Sequence, residues 1–143
     1  MRITASAPGK FVLAGEYAVL DGAPAICVAV DRRAVVTIGT HDGECHLVTA
    51  PGFTAATGRF REESGDLSWL DGGRDFGLFE AVWNASRPAT AGRCLAISLD
   101  TAVFRDPASG SKVGLGSSAA LTVALATALG ISASSRVSPS TTA

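Results

Sequence analysis

The sequence predicts an α+β fold. Runs rich in Val and Ile fill the first fifty residues, and an amphipathic helical pattern lies at 75–86. A glycine-rich turn then leads into an unbroken set of helix formers from residue 117. Strands come first and helices later, the order of a layered structure with helices against a sheet. A chain of 143 residues is long enough for one domain with a real core.

Taken in order, Arg2–Ser6 and Phe11–Ala14 read as two short strands around the turn Ala7-Pro-Gly-Lys10. Tyr17–Leu20 continues the apolar pattern, and Asp21-Gly22 is a turn signal. Ala25–Val30 and Ala34–Ile38 read as strands, with Asp31-Arg-Arg33 a polar break or bulge between them. His46–Thr49 is a further strand ending at Pro51-Gly52. Residues 52–74 show weak periodicity and are expected to be loops with at most one or two short strands. From Asp75 to Ser86, Phe76, Phe79, Val82 and Trp83 recur at helical spacing, and Arg87-Pro88 ends that helix. Cys94–Leu99 alternates as a strand does. The last helix is expected from Ser117 to about Gly130, buried nearly all round. The Ser/Thr-rich stretch 132–143 is expected to be disordered, leaving 1–131 as the domain.

Composition narrows the function. The chain is 47% hydrophobic and 17% charged, as globular domains are. Twelve basic and thirteen acidic residues leave a net charge of −1, which gives no footprint for nucleic acid or an anionic membrane. Cys27, Cys45 and Cys94 are odd in number and lack metal-ligand spacing. They read as buried free thiols of a reducing compartment. The N-terminus lacks the apolar core of a signal peptide, and the apolar stretch 119–131 is too short to span a bilayer. A soluble cytoplasmic protein is expected.

The most informative run is Lys112-Val-Gly-Leu-Gly-Ser-Ser-Ala-Ala120. Gly114 and Gly116 permit a close approach to the main chain. Ser117 and Ser118 stand where a helix begins, and unpaired N–H groups there meet the positive end of the helix dipole. This is either an anion site, most naturally for phosphate, or a capped helix after a tight turn. The nucleoside-triphosphatase loop is excluded, because Lys112 precedes the glycines. A dinucleotide fingerprint matches Gly114 to Ala119 in letters only. It should follow a strand directly and be followed by an acidic residue for the ribose, but a loop precedes it and no Asp or Glu occurs after Asp106.

A second run, Ala7-Pro-Gly-Lys-Phe-Val-Leu-Ala-Gly-Glu-Tyr17, sets a lysine on a constrained turn. An ammonium held near a phosphate site is what phosphoryl transfer uses, since its catalysis is mostly positioning and charge stabilisation. The two runs together resemble the GHMP kinase superfamily. Its first motif is similar to Ala7-Pro-Gly-Lys10 with Gly15-Glu16, and its phosphate loop is similar to Gly114–Ala120. The phosphomevalonate kinases are the most similar group, through Ala14–Leu20, Val28–Arg33 and Lys112–Ala124.

The resemblance implies the N-terminal, ATP-binding domain of that superfamily (a ribosomal-protein domain 2-like fold), truncated before a C-terminal domain. It implies ATP bound through Gly114, Leu115, Gly116, Ser117, Ser118 and Ala119, with Ser118 on Mg²⁺. Lys10 would lie near the phosphoryl acceptor as the catalytic residue, with Glu16 and Tyr17 on the substrate side. The acceptor would be phosphomevalonate, in isoprenoid synthesis; a mevalonate, sugar or other small-alcohol kinase, or a non-catalytic nucleotide-binding remnant, are the alternatives. Family members are about twice as long and many use a later aspartate, so full kinase activity is expected to be missing from this chain. An uncovered apolar helix face would favour self-association.

Overall fold

The structure, a computed structural model, describes residues 2–134. It is a mixed α+β fold: six strands in one sheet with two helices. The strands are β1 (Arg2–Ala14), β2 (Ile26–Thr40), β3 (His46–Ala50), β4 (Thr54–Glu63), β5 (Asp66–Asp71) and β6 (Leu95–Asp100). The helices are α1 (Gly77–Ser86) and α2 (Ser117–Ser134). Sheet order is β1-β2-β6-β3-β4-β5, all antiparallel except the parallel pair β3–β6.

Alternation along the strands explains the layering. Val36 and Ile38 of β2, Leu95, Ile97 and Leu99 of β6, and Val48 of β3 are buried on one face. Phe79 and Trp83 of α1 and Ala124, Leu125, Ala128 and Leu129 of α2 complete that core. The aromatic centre is Phe60, with its ring centroid 4.9 Å from Trp83 and 5.3 Å from Phe79, both edge-on. Trp83 Nε1 is buried without a hydrogen-bond partner, and the Trp83 ring stands near-perpendicular to Phe60, at 79°.

Three expectations for the first 74 residues need correcting. Ala7-Pro-Gly-Lys10 is not a turn: β1 runs straight through it, and the irregularity falls on β2, where Pro8 pairs with Arg33 and Gly9 with Val30. An edge strand tolerates the missing proline N–H, so Pro8 does not break it. The polar Asp31-Arg32 is the bulge the sequence pointed to. Residues 52–74 hold a full hairpin, β4–β5, turned by Ser64 and Gly65 at φ 56° and 88°. Tyr17–Leu20 becomes a 3₁₀ turn at Ala18–Asp21.

Helix α2 is not buried all round. Ala119, Val123, Ala126 and Thr127 are exposed on one side. It also runs past Gly130 to Ser134, into the stretch expected to be disordered; 135–143 lie outside the described residues. Other exposed apolar residues gather on the β1–β2 ribbon beyond Lys10, where Phe11, Leu13, Ile26 and Val28 face solvent. Among the described residues, no helix is long and apolar enough to cross a membrane.

Candidate functional site

The two sequence motifs meet in space. The Lys10 backbone N–H donates to the Leu115 carbonyl at 2.9 Å, which docks the glycine loop on the free edge of β1. Gly9 and Gly116 make this approach possible. A Cβ on Gly9 would lie 2.5 Å from both Leu115 O and Phe104 Cε1. One on Gly116 would lie 2.9 Å from Lys10 Cγ, and Gly116 has φ 69°. Gly114, at φ 75°, is needed for its backbone conformation alone, since nothing lies within 4 Å of its missing Cβ.

The loop is carried by the hairpin before it. Arg105 and Lys112 form a bridge, and Val113 N–H donates to Phe104 O at 3.0 Å. Asp106 closes the turn by accepting from Ala108 N–H and the Ser109 hydroxyl, which lowers its carboxyl pKa. The Arg105 guanidinium ties the hairpin to the Gly52 and Gly110 carbonyls. The chain then enters α2, whose first intrahelical bond runs from Ala120 N–H to Gly116 O at 3.1 Å. The N–H groups of Ser117, Ser118 and Ala119 precede that bond and have no intrahelical acceptor.

Ser117 and Ser118 open on a cavity of about 170 Å³. Phe53, Phe76 and Leu121 give it apolar walls, and Asp75 and Lys112 add one charge of each sign. Lys112 Nζ stands 5.6 Å from the centre of the Phe53 ring, and Asp75 accepts from the Thr54 hydroxyl at 2.7 Å. An apolar slot beside a helix N-terminus suits a flat ring joined to phosphates. Phe53, Asp75 and Phe76 were not legible as site residues; their only signal was distance-blind, an aromatic and an acidic residue in segments read as loop and helix start. Glu16 and Tyr17 are exposed beyond the ribbon and do not line this cavity. Oxygen donors only, Ser118 and Asp75, are at hand for a cation there, which fits Mg²⁺ rather than a softer metal.

Comparison with known proteins finds this chain similar to part of longer kinases. A mevalonate kinase of Methanothermobacter thermautotrophicus is 38% identical over 134 residues, covering 90% of this chain and 36% of the relative. The chain is homologous to the GHMP kinases. A phosphomevalonate kinase of a Streptomyces species (strain CL190) is 35% identical over 142 residues, covering 89% of this chain and 37% of the relative. The fold agrees with that of Streptococcus pneumoniae phosphomevalonate kinase, solved with phosphomevalonate and AMPPNP. The TM-score there is 0.64 at 22% identity, over 91% of this chain and 36% of that one. The chain therefore spans a little over a third of the length of these GHMP kinases. No protein-family model matches it.

Proposed function

We propose that this chain forms the nucleotide-binding part of an ATP-dependent GHMP-type kinase of the mevalonate pathway, with phosphomevalonate as the phosphoryl acceptor. The observation that carries the reading is the backbone bond from Lys10 to Leu115, which joins the first motif to the glycine loop at the start of α2. ATP phosphates lie along Gly114–Ser118 and take the free N–H groups of α2, while the base enters the slot between Phe53 and Phe76. Mg²⁺ neutralises the phosphate charge when bound, and Ser118 is the hydroxyl this chain offers it. Lys10 holds its ammonium on the acceptor side of the loop, and Glu16 and Tyr17 belong to that side.

Calorimetric titration of the folded chain with Mg·ATP tests the nucleotide half of the reading. Saturable binding is expected, weakened at least tenfold by Ser118→Ala, since a charge-assisted bond to phosphate contributes about 1.5–3 kcal/mol. Absence of binding by a folded chain overturns it. The acceptor is tested by the same titration with phosphomevalonate and with mevalonate in the presence of AMPPNP. Preference for mevalonate replaces the acceptor and leaves the kinase reading in place; both relatives' names make that comparison pointed.

A further inference from the structure

At the end of the sheet away from the glycine loop, three chemically reactive side chains stand one residue beyond neighbouring strands: His41 after β2, Cys45 before β3 and Cys94 before β6. The parallel ladder of β3 and β6 keeps a constant offset: Leu47 faces Ala96, Val48 faces Ile97 and Thr49 faces Ser98. Carried back two residues, the same offset sets Cys45 opposite Cys94. The adjoining β2–β6 ladder continues as well. Thr40 faces Leu95, and His41 N–H donates to the Cys94 carbonyl at 3.1 Å. The His41 ring then reaches to β3, its Nε2 lying 2.7 Å from the Cys45 carbonyl oxygen. Gly43 lets the connecting loop close over that ring, since a Cβ there would lie 2.1 Å from His41 Cε1. Cys45 and Cys94 both line a cavity of about 370 Å³.

We propose that Cys45 and Cys94 are a redox pair that closes into a disulfide. Neighbouring strands lie about 4.8 Å apart, within the Cα separation that a disulfide spans. Exposure assigns the roles: Cys94 is half-buried and Cys45 buried. The Cys94 thiolate attacks a disulfide oxidant such as glutathione disulfide, forming a mixed disulfide and releasing one glutathione thiolate. Cys45 gives up its proton to solvent and attacks the Cys94 sulfur, expelling the second glutathione. The two cysteines have together lost two electrons and two protons, and the oxidant has become two thiols. A metal centre is the other use of such a cluster. Among the described residues, however, no group of three or more His, Cys, Asp or Glu side chains is placed to hold an ion. Cys27 is the internal control, exposed at the far end of β2 opposite Val12, with no thiol facing it.

The folded chain is incubated with glutathione disulfide, its free thiols are alkylated, and unreduced peptides are mapped by mass spectrometry. The expected map joins the Cys45 peptide to the Cys94 peptide and leaves a glutathione adduct on Cys27. In Cys45→Ser, Cys94 is expected to stop at the glutathione adduct. In Cys94→Ser, Cys45 is expected to stay a free thiol. A wild-type map in which Cys94 keeps glutathione while Cys45 is alkylated overturns the proposal, as does a link from Cys27 to either. The wild-type map decides even if a variant fails to fold, and no outcome depends on kinase activity.

Discussion

Gly9 and Gly116 meet around Lys10, and each is there for what it lacks. At Gly9 any side chain strikes the Leu115 carbonyl and the Phe104 ring; at Gly116 it strikes the Lys10 stem. Gly9→Ala is expected to lower unfolding free energy by about 1–3 kcal/mol, the usual range for overpacking a close contact. Gly130 is the counterexample, with an ordinary φ, an exposed position in α2 and nothing within 4 Å of its missing Cβ. Gly130→Ala is expected to raise stability by about 0.5–1 kcal/mol through helix propensity. Urea denaturation of the two variants checks both signs; a stabilised Gly9→Ala would mean that the loop does not dock on β1. The sequence made Gly114 and Gly116 visible, because glycines before a helix-forming run have few other uses. It left Gly9 half-read: the residue was noticed, but as part of a turn, since its true neighbour, Phe104, is ninety-five positions away along the chain.

Among the elements, those with strong periodicity were legible and those defined by a partner were not. Helix α1 and strand β3 show their pattern within their own residues, and both lie close to the expected bounds. Strand β4 does not, because Arg59, Arg61, Glu62 and Glu63 flank only Gly58 and Phe60 as buried positions. Its strand character comes from pairing with β3 and β5. Edge strand β5 is in turn held by α1. Trp69 Nε1 donates to Glu80 at 2.8 Å, and Leu67 N–H donates to the Asn84 side-chain oxygen at 2.8 Å. Asn84→Ala leaves that N–H unpaired at a half-buried site. A loss of about 1–3 kcal/mol is expected, together with faster hydrogen exchange at Leu67 than at Val48. Unchanged exchange at Leu67 would show that the edge does not depend on α1. The three cysteines illustrate the same limit. They were expected to be buried free thiols, yet only Cys45 is buried; Cys94 is half-buried and Cys27, on the β1–β2 ribbon, is exposed.

For the molecule as a whole, the two ends of the sheet carry different chemistry, and one of them sets a pH dependence. His46 is buried at the end opposite the glycine loop, stacked on Phe60 with ring centroids 4.8 Å apart. Its Nδ1 accepts from Leu95 N–H at 3.1 Å, so the neutral ring carries its proton on Nε2. Desolvation by burial pushes its pKa below the ordinary value; Glu62 opposes this and His41 adds to it. Glu62 is itself engaged by the Thr90 hydroxyl at 3.0 Å. A histidine harder to protonate folded than unfolded stabilises the neutral form. Its contribution is fully present above the unfolded value of about 6.5 and is lost as pH falls from there through the folded pKa. Below that pKa both states are protonated and the slope from this group vanishes. Stability is therefore expected to fall between pH 7 and pH 5 more steeply in the wild type than in His46→Asn, which keeps an acceptor for Leu95 N–H and has no proton to gain. Glu62→Gln removes the group that raises the His46 pKa and is expected to widen the difference from His46→Asn. Denaturation midpoints measured across that range decide the matter. Parallel profiles for the wild type and His46→Asn would mean that His46 is hydrated in the folded chain, and that this end of the sheet is open rather than packed.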